Sequence, residues 1–200
     1  MSASDRASLD IALVHHGYRS PPENGMEQTV HDVATGLREL GHRPTILASH
    51  VAPTRRSTWE GVPVVRVARL PESPLARRGF TGPLTHVPST ARALLSRGHD
   101  VVHAFSAPDA LAARLWRRRV GGPVVFTCAE TLGRDRLADR RLRLRLLAAA
   151  VEDSDGLLVP TEEARRALWR WLAADAPVVE SRDGAAHERL YLRLLASAGR

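Results

Sequence analysis

Short apolar runs alternate with segments of helical periodicity along most of this chain, and that alternation confines it to an α/β sheet. Residues 10–14, 44–48, 62–67, 100–104, 123–127, 156–159 and 177–179 read as strands. Residues 25–41, 84–97, 108–118, 135–150 and 162–173 read as helices between them. In the first helix Val30, Val33, Ala34, Leu37 and Leu40 recur at helical spacing, and Gly41 is a suitable stop. Pro88 breaks the second early, and Thr161 is the expected cap of the last. Residues 51–60 are polar and read as a loop. Residues 69–83 hold Pro71, Pro74, Gly79, Gly82 and Pro83 and read as a long irregular connection. A further helix spans 183–198, with a narrow stripe of Leu190, Leu194, Leu195 and Ala198 that must lie on something. The fold class is therefore α/β, a parallel sheet with helices on both faces.

Composition narrows the function classes. The 200 residues suit one domain with a full core. No apolar run approaches the ~20 residues that span a bilayer. Residues 1–8 are polar, of both charge signs, and read as a disordered lead-in rather than a secretory signal. Cys128 is the sole cysteine, so the chain has no internal disulfide, and a cytoplasmic setting fits. The net charge is +7, and every one of the 29 basic residues is Arg. With no aromatic interleaving and no nucleic-acid motif, the arginines read as solvated faces and nucleic acid is not an expected partner. Arg136, Arg140 and Arg143 share one helix face that could meet an anionic membrane surface, but Asp135 and Asp139 dilute it, so the solvated reading is taken here too.

Three segments carry a resemblance. The first is Pro22-Glu23-Asn24-Gly25-Met26-Glu27-Gln28-Thr29-Val30 with Leu37-Arg38-Glu39-Leu40-Gly41-His42. The second is His99-Asp100-Val101-Val102-His103-Ala104-Phe105-Ser106. The third pairs Pro123-Val124-Val125-Phe126-Thr127 with Asp155-Gly156-Leu157-Leu158-Val159-Pro160-Thr161. In order and spacing they resemble the N-terminal, acceptor-side half of family-4 glycosyltransferases of the GT-B fold. The resemblance covers residues 9–179 and implies a Rossmann-like domain, followed at 180–200 by a helical tail of the crossover type that packs back on the domain. It further implies glycosyl transfer from a nucleotide-sugar, which is a co-substrate rather than a cofactor, with retention at the sugar.

The residues at the strand ends are the candidate site. A turn leading into a helix N-terminus favours negative charge, and Gly25 permits close backbone approach. The resemblance makes Asn24, Gly25 and Glu27 ligand contacts, with Asn24 standing where the family has its first glycine. His103 ends a strand, where such sheets bind ligands, and is the candidate for proton transfer. His16, Ser106 and Glu130 are candidate acceptor contacts at neighbouring strand ends or loops. Phe105 and Ala129 occupy positions where the resemblance places histidines. His15, His16 and His103 lack a carboxylate or thiol at ligand spacing, so no metal is expected. Cys128 has nothing near it in sequence to lower its pKa as a nucleophile.

Such enzymes place a second Rossmann-like domain across the cleft to hold the nucleotide-sugar, and the resemblance finds no counterpart to it here. The chain is therefore expected to need a donor-domain partner, or to self-associate through an exposed cleft wall, and to meet a sugar or lipid-linked acceptor. A non-catalytic binding or regulatory relative is the alternative, favoured by Phe105 and Ala129. An unrelated nucleotide-binding protein is opposed by the lack of a G-x-G-x-x-G turn or P-loop after the first strand.

Overall fold

A computed structural model describes residues 8–23, 25–70, 84–129, 141–180 and 182–199. Strand β1 (Asp10–Val14) shows how the sheet is built. Alternate side chains of a strand point to opposite faces. Ile11 and Leu13 join one core layer, and Ala12 and Val14 the other. With both faces buried, the strand must be apolar throughout, as its sequence is.

Around β1 lie β2 (Arg43–His50), β3 (Arg55–Trp59), β4 (Val62–Ala68), β5 (Val101–Ala104), β6 (Val124–Thr127) and β7 (Gly156–Leu158). The spatial order is β3-β4-β2-β1-β5-β6-β7, parallel except for β3. Numbering only the parallel strands gives 3-2-1-4-5-6, the doubly wound order. The chain winds one way from β1 and the other way from β5, so the switch point lies between the C-terminal ends of β1 and β5.

Two helices cover one face, α1 (Gly25–Glu39) and α6 (Gly184–Ala198). The other carries α2 (Val87–Leu95), α3 (Ala107–Val120), α4 (Arg141–Glu152) and α5 (Glu162–Leu172). Trp116 of α3 and Leu94 of α2 are fully buried on that face beside Val14 and Val102. Burial of a side chain such as Leu94 stabilises the fold by about 1.5–3 kcal/mol. Among the described residues, no helix is long and apolar enough to cross a membrane.

Three local readings need correction. The segment 51–60, expected to be a loop, contains β3, which pairs antiparallel with β4 across a two-residue turn. Glu60 and Gly61 both have positive φ, 46° and 80°, the geometry whose twist matches a hairpin. Glutamate is a poor advertisement for that conformation, which is why the turn was not visible. Pro88 does not break α2 but opens it, at a first-turn position where its missing N–H is not needed. The final short strand at 177–179 is reduced to one bridge, Val159 to Val178. The irregular connection 71–83 and the lead-in 1–7 lie outside the described residues, as do Arg136 and Arg140.

The tail helix packs on the domain itself. Gly184 of α6 meets Gly36 of α1 so closely that a Cβ at position 184 would fall 2.8 Å from the Gly36 carbonyl carbon. Around this contact Leu190 and Tyr191 enter the core, and Glu188 Oε1 lies 3.2 Å from His42 Nε2. The buried face is thus broader than the leucine stripe, because it also takes in His187, Glu188 and Tyr191.

Candidate functional site

The loops after β1 and β5 leave the sheet side by side at the switch point. His15 and His16 follow β1, and Ser106 follows β5 as the N-cap of α3. The cap is reciprocal. The Asp109 N–H donates to Ser106 Oγ (3.3 Å), and the Ser106 hydroxyl donates to Asp109 Oδ2 (2.5 Å).

Asp109 is the hub of the cluster. Its carboxylate is fully buried and receives the His16 backbone N–H at 3.1 Å. His16 Nδ1 lies 3.3 Å from Oδ1, and His86 Nε2 lies 3.0 Å from the same oxygen. Burial by itself raises the Asp109 carboxyl, but the charge of His16 and hydrogen bonds from His16 and His86 outweigh it, holding the group well below the usual carboxylate range. An ionised Asp109 accepts only, so His86 presents Nε2–H to it. That leaves His86 Nδ1 buried without a hydrogen-bond partner among the described residues.

His16 is the half-exposed member. Its side chain is 26% accessible, whereas Asp109 is closed to solvent. Its ring stacks on His15 at 5.6 Å and on His86 at 5.0 Å, and Ser106 Oγ lies 3.2 Å from its Nδ1. His15 points inward. Its Nδ1 accepts the Gly17 N–H at 3.1 Å, and burial lowers its pKa despite the pull of Asp109.

His16, His86 and Asp109 are the described residues whose donor atoms lie near enough together to hold a metal. This departs from the sequence expectation that no carboxylate accompanies the histidines, since folding brings Asp109 to them. The two imidazoles are stacked only 17° from parallel, so their lone pairs run alongside one another rather than toward one point. The Asp109 carboxylate holds one nitrogen of each ring, His16 Nδ1 and His86 Nε2.

His103, at the C-terminal end of β5, is fully buried. Its Nδ1 is 2.6 Å from the Tyr191 hydroxyl and its Nε2 is 2.7 Å from Thr127 Oγ1. Phe105 stacks on it at 4.2 Å. Burial, with the charge of His187, keeps its pKa well below the ordinary value, so the ring is neutral. The side chain expected to exchange protons with a ligand is engaged at both nitrogens by the protein.

The remaining predicted residues divide. Gly25 opens α1 in open space, where an added Cβ would touch nothing. Glu27 is buried, and its carboxylate receives the Glu23 backbone N–H at 2.7 Å, which fixes the chain entering α1. Asn24 and Glu130 lie outside the described residues. Thus the fold unites His16 and Ser106 on Asp109, while His103 is held by Tyr191 and Thr127 and Glu27 by the Glu23 backbone. Sequence reading missed Asp109 and His86. Ser106-Ala107-Pro108-Asp109 is a capping-box pattern that could have revealed Asp109. His86 follows the long connection and had no such signal.

The profile of the family described as "Glycosyl transferase 4-like domain" matches residues 24–180. The chain belongs to this family. No curated protein matches its sequence significantly. Among solved structures, this glycosyl transferase 4-like domain is similar to sucrose-phosphate synthase from Thermosynechococcus elongatus, with a TM-score of 0.62 and 14% identity over 85% of this chain and 47% of that one. A shorter chain of the same synthase is matched over 94% of this chain and 96% of its own length, with a TM-score of 0.61. The HepE protein of Anabaena, solved in complex with UDP and glucose, gives 0.58 at 13% identity over 86% and 44%. At these identities the likeness establishes the fold. The chain spans about half the length of the full-length structures it matches.

Proposed function

We propose that this domain forms the acceptor-side wall of a sugar-transfer cleft, with the switch-point cluster as its contact surface. The carrying observation is the pairing of half-exposed His16 and Ser106 on one buried, ionised Asp109. A sugar hydroxyl is both donor and acceptor, and an imidazole beside a hydroxyl offers both complements. In transfer, the bond from the sugar C1 to the acceptor oxygen forms as the bond to the departing diphosphate breaks, and the acceptor hydroxyl loses its proton. His16 is placed to receive or relay that proton, with Asp109 stabilising the charged ring. His103, closed off by Tyr191 and Thr127, acts in this reading as a positioning residue. It fixes the end of β5, three residues before Ser106.

The departing diphosphate needs charge stabilisation in a closed, dry cleft, and one wall supplies only part of that. The donor-binding wall in this proposal is a second domain outside these 200 residues, for which a separate chain is the proposed source. The matched structures are about twice as long as this chain, which supports a second wall beyond the matched half.

The second reading, a non-catalytic sugar-binding relative, is favoured by the engagement of both His103 nitrogens and by Phe105 stacking on that ring. Titration of the isotopically labelled domain with a panel of free monosaccharides, followed by amide and imidazole NMR, tests the site common to both. Shifts confined to residues 14–16 and 104–109 are expected. Shifts elsewhere, or none with any sugar, would count against the switch point as the sugar surface.

A further inference from the structure

A groove of about 380 Å³ lies on the α2 face of the sheet, lined by none of the switch-point cluster residues. It exists because α2 packs against β2 through Leu94 and Leu47 and leaves the outer strands β4 and β3 beside it. The floor is apolar. Leu47 of β2 and Val65 of β4 are cross-strand partners, and Val67 continues the same face.

The walls are basic and hydroxylated. The β4 register sets Arg56 of β3 opposite Val65, on the floor side of the sheet. From α2, Ser89, Arg92, Ala93 and Ser96 line the groove at i, i+3, i+4 and i+7, one continuous helical stripe. Arg97 follows at the helix end. No acidic residue is among the described residues lining the groove. Arg56, Arg92 and Arg97 also have no carboxylate partner among the described residues, whereas Arg43, Arg114, Arg117 and Arg165 each pair with one.

Three guanidinium groups on one groove repel one another, and an anion between them removes that repulsion. Guanidinium presents planar, forked donors that match phosphate oxygens, and such charge-assisted bonds are stronger than neutral ones. The volume falls in the range of small-molecule sites, which combine an apolar lining with a few placed polar groups. We propose that this groove binds a small phosphorylated ligand, of the sugar-phosphate or nucleoside-phosphate class. The arginines take the phosphate, and the Leu47, Val65 and Val67 floor takes the ring. This site stands independently of the sugar-transfer reading, because it shares none of the residues His16, His86, Ser106 or Asp109.

The test is an NMR titration of the domain, following arginine Nε–Hε signals, with inorganic phosphate, ribose 5-phosphate and ribose as probes. Saturable shifts at Arg56, Arg92 and Arg97 are expected with both phosphates. Ribose 5-phosphate should bind more tightly than inorganic phosphate, and ribose alone should give nothing. Arg92→Gln and Arg97→Gln should each weaken binding about tenfold, the scale of one hydrogen bond to a charged group. Raising salt from 50 to 500 mM should weaken it further. Arg92→Lys, which keeps the charge but loses the fork, should weaken binding less than Arg92→Gln and serves as the folding control. The proposal fails if ribose 5-phosphate binds no better than ribose, or if the glutamine variants bind as wild type. Retention on phosphatidylglycerol vesicles without binding of either soluble phosphate would also overturn it, by assigning the arginines to a membrane surface.

Discussion

The Tyr191 hydroxyl meets His103 Nδ1 at 2.6 Å, joining the tail helix to the central sheet across 88 residues of sequence. Both groups are fully buried. Burial raises the phenol far above its usual range and lowers the imidazole, so the bond forms between two neutral groups. Tyr191→Phe leaves the His103 nitrogen unpaired in the core, a cost of about 1–3 kcal/mol. Urea unfolding should show this loss as a lower midpoint with an unchanged slope. Nitrogen NMR of His103 should report a changed tautomer balance. A variant as stable as wild type would mean that the hydroxyl is not the ring's partner.

Gly36 and Gly184 set how closely the tail helix approaches. A Cβ at position 184 would meet backbone atoms of Gly36 at 2.8–3.1 Å, and backbone cannot swing aside as a side chain can. Gly184→Ala should therefore cost about 1–3 kcal/mol, as overpacking does. It should also raise hydrogen exchange across residues 184–198 before the rest of the domain. Exchange unchanged in that helix would contradict the packing described.

Acid should weaken the fold in two stages. His15, His99, His103 and His187 all have pKa values lowered from 6.5, each chiefly by burial. Below pH 6.5 the unfolded chain takes up protons that the folded chain refuses, so stability is complete above that pH and falls as pH drops. Each histidine contributes up to about 1.4 kcal/mol per pH unit within its window. Asp109, with its pKa lowered, adds stability above about pH 4 that is lost as acid protonates it. Urea midpoints measured from pH 8 to pH 3 should be level above about 6.5 and decline below, steepening near 4. A level profile from pH 8 to pH 5 would contradict the burial of these rings.

Much of the fold was legible because burial on both faces writes itself into a strand. Runs such as Ile11-Ala12-Leu13-Val14 and Val124-Val125-Phe126 tolerate no other reading. The β3 hairpin was hidden because its strand is an exposed edge, with little to bury and a Glu60-Gly61 turn. The site was only half readable. His16 and Ser106 follow strand ends, and position along a strand is visible in sequence. Asp109, His86 and Tyr191 join the buried networks through contacts 93, 23 and 88 residues apart, which local pattern cannot reach. The engagement of His103 is hidden for the same reason, since nothing in its strand shows that a helix 88 residues later caps it.

Sugar transfer measured with this chain alone, and again with a donor-domain chain from the same host added, is the decisive test of the switch-point cluster. Labelled nucleotide-sugars serve as donors, and wild type is compared with Asp109→Asn, which uncouples His16, His86 and Ser106 from their shared carboxylate. The expected result is no transfer by the chain alone and transfer with the donor domain present. That activity should fall at least about 100-fold in the asparagine variant, as for loss of a positioned proton-transfer group. Full turnover by the purified chain alone, or transfer indifferent to Asp109→Asn, would contradict the central claim that the switch-point cluster is one wall of a two-walled cleft.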